Sequence, residues 1–146
     1  MVTPAPADPS LGTGLSDDVL RDRTQRHAVA GPAFRLFIRL ADRWRLDVRQ
    51  RLTLLGDLAR PTYYNWASGK SRSLTRDQLE RVSLLLGIHK ALRLLFADEA
   101  AADRWLRAPN TDIEFAGQSP LQRMLQGGIG DLLAVRRYLD AWRGAA

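Results

Sequence analysis

The chain contains no cysteine, which excludes disulfide bonds and thiolate metal sites. It has two histidines, His27 and His89, which we expect at the surface or at helix ends because neither has a His or Cys neighbour at ligand spacing. No apolar run approaches the roughly 20 residues that span a bilayer, and the first residues lack the basic and apolar segments of a signal peptide. We therefore expect a cytoplasmic protein with no membrane segment, no metal and no other cofactor.

Catalytic motifs are also missing. The stretch Gly127-Gly128-Ile129-Gly130 follows a helical segment rather than a strand, and no Gly-Lys-Ser/Thr comes after it, so it indicates the end of a helix better than a phosphate loop. Asp112 and Glu114 stand two residues apart, but no nucleophile or pocket pattern accompanies them, which favours solvated loop carboxylates. We do not expect an enzyme.

What the chain does have is arginine, and its distribution is uneven. The sequence holds 20 Arg and 2 Lys, and residues 21–81 carry fourteen basic against six acidic residues. Residues 82–146 carry eight against seven. Such a basic excess attracts polyanions, chiefly nucleic acid, although a solvated arginine-rich helical surface gives the same composition.

Every strong periodic pattern is helical, and no alternating strand pattern is found. A stripe from Phe34 to Trp44 follows an expected break at Gly31-Pro32, and exposed apolar positions near residues 33–44 offer a possible dimer face. Thr75 and Ser119 begin capping-box patterns. The remaining predicted elements are a helix from Val48 ending at Gly56, one over Arg60–Ser68, one from Thr75 ending at Gly87, a buried helix through Leu92 and Phe96, one opened by Asp98 or Glu99 and stopped before Pro109, one after Ser119 ending at Gly127-Gly128, and one over Asp131–Trp142 with Leu132, Val135, Leu139 and Trp142 on one stripe.

The predicted fold is therefore all-α: a compact multi-helix protein in which a helix-turn-helix-like N-terminal part packs on a small C-terminal helical domain. We expect a flexible arm over residues 1–15, the first part over 16–88 and the second over 89–146. No linker separates the two parts, so we expect them to share one core.

Residues 54–70 have the pattern of a DNA-binding helix-turn-helix: a helix, a turn at Gly56, a second helix and a Trp-x-x-Gly-Lys end. Trp66 is expected in the core. An ordinary helical hairpin remains the alternative. The candidate DNA-binding residues are Arg60, Thr62, Tyr63, Tyr64, Asn65, Lys70 and Arg72.

Two resemblances to known families cover most of residues 45–144. Leu54 to Lys70 resembles the helix-turn-helix of Xre-like repressors, with Leu52 at a position that usually holds Ala and with Asp57 as an extra residue in the turn. Residues 79–144 resemble the Xre/MbcA/ParS toxin-binding family. The matching residues are Gln78–Val82, Leu86–Ile88, Ala91-Leu92, Leu95-Phe96, Trp105-Leu106, Pro109-Asn110, Phe115, Gly117, Ser119–Leu121, Leu139 and Gly144.

The second resemblance implies an antitoxin whose partner is a RES-domain toxin, an enzyme that attacks NAD. It also implies that the C-terminal part covers the toxin's NAD pocket, that the N-terminal part binds operator DNA and that the protein is a homodimer. Trp142 is either a partner anchor or a core residue, and Asp140 and the terminal carboxylate of Ala146 are candidates to meet toxin cations. A repressor that acts chiefly at an operator is the alternative function. The implied toxin-binding residues are Arg136, Arg137, Tyr138, Asp140, Trp142, Arg143 and Gly144.

Overall fold

The computed structural model describes residues 16–70 and 73–144, which form eight helices and no strand. In chain order they are α1 (Asp17–Arg21), α2 (Arg23–Arg43), α3 (Val48–Leu54), α4 (Arg60–Ala67), α5 (Arg76–Leu95), α6 (Glu99–Arg107), α7 (Pro120–Met124) and α8 (Ile129–Gly144). The all-helical prediction is confirmed. The predicted arm over residues 1–15, Arg72 and Ala146 lie outside the described residues.

The predicted helix starts at Thr75 and Ser119 are confirmed in atomic detail. The Thr75 hydroxyl accepts a hydrogen bond from the amide of Gln78 (3.1 Å), and the Gln78 side chain accepts one from the amide of Thr75 (2.9 Å). Ser119 and Gln122 form the same reciprocal pair at 3.0 and 2.8 Å. Each box satisfies two backbone amides that have no partner inside the helix.

The predicted break at Gly31-Pro32 is wrong, because α2 runs straight through it. Pro32 deprives only the carbonyl of Ala28 of its helical partner, and both residues face solvent, where water can satisfy that oxygen. On the opposite face Ala30, Phe34 and other apolar residues are buried continuously across the proline. Tertiary packing therefore outweighs the local preference to stop.

The predicted end at Gly87 is also wrong, since α5 continues to Leu95. A Cβ atom added to Gly87 would overlap the guanidinium of Arg136, which lies across this point from α8. The glycine thus allows two helices to approach rather than ending one of them.

Helix α5 forms the middle of the molecule. It packs along α8 on one side and α2 on the other, and Leu79, Leu85 and Ile88 on α5 are fully buried in a single apolar core. The same core includes Phe34 from α2 and Leu132 from α8. The predicted sharing of one core is confirmed, and the boundary expected after residue 88 falls inside α5.

The apolar stripe over residues 33–44 is not a free face. Phe34, Phe37 and Ala41 are at most 1% exposed, and Trp44 is 3% exposed. These side chains pack within the chain, and the expected dimer face on exposed apolar positions near residues 33–44 stays a prediction.

Candidate nucleic-acid and partner interfaces

The turn between α3 and α4 has an unusual hydrogen-bond register. Gly56 and Asp57 both have left-handed backbone angles, with φ of 82° and 61°. The amide of Gly56 donates to the carbonyl of Thr53 (3.0 Å), and the amide of Leu58 donates to the carbonyl of Leu52 (3.2 Å). In the common glycine-ended helix, the amide directly after the glycine donates to the carbonyl four residues before the glycine. Here that carbonyl belongs to Leu52, and the amide that reaches it is that of Leu58, one residue later than usual. This shift agrees with the extra residue predicted at Asp57.

Arg51 fixes α4 against the two helices before it. Its guanidinium donates to the carbonyl of Leu46 (2.9 Å), to a carboxylate oxygen of Asp42 (2.8 Å) and to the hydroxyl of Tyr63 (3.1 Å). Tyr63 is 4% exposed, and its ring meets Phe34 edge-on with centroids 5.9 Å apart. The prediction that Tyr63 faces DNA is therefore wrong, because the side chain belongs to the core and orients α4.

The outer face of α4 carries the other predicted DNA-binding residues. Arg60, Tyr64 and Asn65 are exposed, and so is Lys70 just after the helix, whereas Thr62 is half-buried. Trp66 is buried against Phe34 as predicted, with centroids 5.7 Å apart.

The start of α4 is open. Its N-cap is Ala59, which offers no side-chain hydrogen bond to the first amides. Pro61, the second residue of α4, has no amide to donate, so the remaining first-turn amides and the positive end of the helix dipole are what favour an anion such as a phosphate here.

At the other end of the chain, Arg136 lies inside a contact of α8 with α5. Its guanidinium covers Gly87, and its Nε donates to a carboxylate oxygen of Asp140 at 2.9 Å. Arg136 and Asp140 thus serve the packing of α8 in this structure. Arg137, Arg143 and Gly144 are exposed.

Five rings form an aromatic cluster on the C-terminal part: Phe96, Trp105, Phe115, Tyr138 and Trp142. Phe115 lies beneath Tyr138 with centroids 4.9 Å apart, and Tyr138 stacks on Trp105 at 6.0 Å. Trp142 meets Phe96 edge-on at 5.7 Å. Its stripe neighbours Leu132, Val135 and Leu139 are fully buried, whereas Trp142 is 48% exposed. The stripe prediction therefore holds for three of its four residues, because the last turn of α8 extends past the core.

Sequence reasoning missed Ile113, which is 96% exposed in the loop between α6 and α7. The loop is held on both sides of it: the hydroxyl of Tyr138 donates to the carboxylate of Asp112, and Arg123 donates to the carbonyl of Glu114. The bond to Asp112 raises the pKa of Tyr138 above its usual value. The sequence did contain a sign of this exposure, because Ile113 stands between two carboxylates, Asp112 and Glu114, in a predicted loop.

Comparison with known proteins gives two family matches. Residues 24–87 match the antitoxin Xre-like helix-turn-helix domain, and residues 91–145 match the antitoxin Xre/MbcA/ParS C-terminal toxin-binding domain. The uncharacterized protein y4oB of Sinorhizobium fredii is 42% identical over 137 residues, which make up 94% of this chain and 98% of that protein. The chain belongs to the Xre/MbcA/ParS antitoxin family.

The two matches divide the antitoxin's candidate sites between them. Helix α4 falls in the helix-turn-helix match, and the whole aromatic cluster falls in the toxin-binding match. Both matched families are binding modules rather than catalysts. In the described part of the antitoxin no helix is long and apolar enough to cross a membrane.

The two histidines of the antitoxin occupy different environments. His27 is exposed near the start of α2. His89 is partly buried within α5, edge-on to Trp44 at 6.4 Å, so the expectation of a surface or helix-end position is wrong for it. Burial, with Arg43 and Arg93 nearby, lowers the pKa of His89 from 6.5 to about 4. Over residues 16–70 and 73–144, no three metal-ligating side chains are grouped together.

Proposed function

We propose that this antitoxin neutralises a RES-domain toxin by placing the end of α8 over the toxin's NAD cleft. We also propose that it represses its own operon by binding DNA through α4. The family match supports a toxin partner in general, and the RES identity follows from the resemblance of residues 79–144.

The main support for toxin binding is that Trp142 is half exposed, although it belongs to an aromatic cluster whose other rings pack against the core. Leu139 is the last fully buried residue of α8, so the helix beyond it projects from the core. Tryptophan and arginine are the residue types that most often dominate binding energy at protein interfaces. Trp142 with Arg137 and Arg143 supplies both types on one exposed helix end.

The charges at this end are available to a partner. Arg143 lies 3.8 Å from Asp140, and both side chains are partly exposed, at 35% and 45%. Such surface pairs contribute about 0–1 kcal/mol to stability. Arg143 can therefore leave Asp140 and pair with a toxin carboxylate at little cost in free energy. Ile113 adds an exposed apolar contact on a loop that Tyr138 ties to α8.

Truncation tests the toxin role, with NAD consumption by the purified toxin as the readout. A protein ending at Ala141 keeps Leu139 in the core and loses Trp142 and the residues after it. We expect it to fold and to leave NAD consumption at the rate of free toxin. A control ending at Gly144 keeps Trp142 and is expected to inhibit. Full inhibition by the shorter protein would contradict the proposal.

The DNA role is favoured by the exposed polar face and open start of α4. In a gel-shift experiment with DNA from upstream of the operon, we expect Arg60→Ala, Asn65→Ala and Lys70→Ala each to weaken binding. Asn65 is the candidate for bidentate pairing with adenine, which discriminates bases by about 1–3 kcal/mol. Binding that survives all three changes would exclude α4 as the recognition helix. The homodimer stays a prediction, and sedimentation of the free antitoxin measures it.

A further inference from the structure

A groove with a volume of about 500 Å³ opens between the first turns of α2 and the start of α5. None of the described residues that line it is acidic. Its polar lining consists of Arg23, Thr24, Arg26, His27, Ser73, Thr75 and Arg76.

The backbone adds to the positive potential of this groove. Helices α2 and α5 are 21 and 20 residues long, and both begin at the groove, where the positive ends of their dipoles meet. Arg23 and Arg76 are the first residues of these helices, a position where a cation is unfavourable. A bound anion would reverse that penalty.

The neighbouring acidic residues offset this charge only weakly. Asp22 caps α2 by accepting from the amide of Gln25 at 3.0 Å, and Glu80 pairs with Arg76 at 3.0 Å. Both contacts are exposed, so solvent screens them strongly. Asp77, next to Arg76 in the first turn of α5, pairs with Arg81 at 2.7 Å. Arg26 is held in place by donating to the carbonyl of Leu20 at 2.6 Å, which makes part of the groove rigid before any ligand arrives.

The groove lies close to the end of α4. The amide of Lys70 donates to the carbonyl of Asn65 (3.1 Å), which keeps Lys70 against the helix. Ser73, three residues later, already lines the groove, and three extended residues span about 10 Å at most. Lys70 and the groove are therefore close enough to contact one stretch of DNA backbone.

We propose that this groove binds the phosphodiester backbone of duplex DNA beside the site that α4 contacts. This inference rests on the proposed DNA role and adds to it a contact that positions the antitoxin without reading sequence. Phosphate contacts of this kind fix register and orientation, whereas base-edge contacts specify sequence.

The test measures how the affinity of the full chain for DNA depends on salt. Fluorescence anisotropy is recorded with an operon-upstream duplex and with an unrelated duplex of equal length. The groove variant combines Arg23→Gln with Arg76→Gln, and the matched control is Arg104→Gln, an exposed arginine on α6. We expect the salt slope to fall by about 0.9 for each lost contact, on both duplexes, with their affinity ratio unchanged. Combined Arg23→Lys and Arg76→Lys should keep the slope, because a point charge suffices for phosphate.

The outcomes separate this inference from the proposed function. A groove variant that keeps the wild-type slope, while Lys70→Ala weakens binding, would overturn the groove and leave the role of α4 intact. A wild-type antitoxin that binds neither duplex would overturn both. A groove variant that binds DNA normally but loses the toxin would assign the groove to protein docking, against this inference.

Discussion

The two parts differ in how often arginine begins a helix. In the helix-turn-helix part α2, α4 and α5 start with Arg23, Arg60 and Arg76, although α1 starts with Asp17 and α5 also carries Asp77 in its first turn. In the toxin-binding part no described helix starts with arginine; α6 starts with Glu99, and α8 carries Asp131 in its first turn. Acidic residues suit the positive end of the helix dipole, and basic residues oppose it. The first part thus concentrates positive charge that an anionic partner can use. The second part carries nearly equal numbers of basic and acidic residues and presents an aromatic cluster instead.

The two parts nevertheless share a helix and the contacts of one buried arginine on it. Arg81 on α5 is 8% exposed, and its guanidinium donates to Asp77 and to the carbonyl of Gly127, each at 2.7 Å. Its Nε would lie 3.0 Å from a Cβ atom added to Gly56, in the α3–α4 turn. The helix-turn-helix turn and the turn before α8 therefore meet at one side chain, so the surfaces differ while the folding unit is common.

The largest predicted effect concerns this common core. We expect Leu85→Ala, at a fully buried position on α5, to lower the free energy of unfolding by about 2–5 kcal/mol. Leu94→Ala, on the same helix but 48% exposed, should change it by no more than about 0.5 kcal/mol. Amide hydrogen exchange in these variants measures the protection of helices from both parts, such as α4 and α8, in one experiment. Loss of protection in α4 with α8 still fully protected would show two independent folding units and contradict the shared core.

A smaller effect should appear as a pH dependence from His89. Because its folded pKa, about 4, is below the unfolded value of 6.5, the neutral form is favoured in the folded state. The stabilisation is present above pH 6.5 and is lost as the pH falls towards 4. The full shift corresponds to about 3 kcal/mol, which solvent screening of this partly exposed group reduces to roughly 1–2 kcal/mol.

Urea unfolding at several pH values between 7 and 4 measures this dependence. His89→Gln should remove it, whereas the matched control His27→Gln, at an exposed position, should keep it. An unaltered pH profile in His89→Gln would contradict the assignment.

The smallest predicted effect concerns the contact between α5 and α8. Gly87→Ala should gain about 1 kcal/mol of helix propensity but displace Arg136, so we expect a net change near zero. In an Arg136→Ala background the same change should stabilise by about 1 kcal/mol. Urea unfolding of the wild type, the two single variants and the double variant gives the coupling free energy between Gly87 and Arg136. Equal effects in both backgrounds would show that Arg136 does not restrict this position.

These positions also show what sequence can predict. The capping boxes at Thr75 and Ser119 were predictable because each depends on residues three apart. Gly87 was not, because its contact with Arg136 joins residues far apart in the chain. Tyr63 could have been assigned to the core, since it stands three residues before buried Trp66 on the same helix face.

The exposure of Trp142 was beyond sequence reasoning for a different reason. Its spacing continues the buried stripe of α8. Only the three-dimensional structure shows that the core ends at Leu139, so that Trp142 lies outside the core. The roles of the exposed side chains on α4 and α8 stay predictions until their partners are tested.

The most direct test of two separate surfaces uses one half-exposed aromatic from each part, Tyr64 at 50% and Trp142 at 48%. Toxin affinity and operator affinity are measured for Tyr64→Ala and for Trp142→Ala. We predict that Trp142→Ala weakens toxin binding by about 30-fold, the result of losing about 2 kcal/mol, and leaves DNA binding within about twofold. Tyr64→Ala should weaken DNA binding alone. Toxin binding that is unaffected by Trp142→Ala, or lost in Tyr64→Ala, would contradict this prediction.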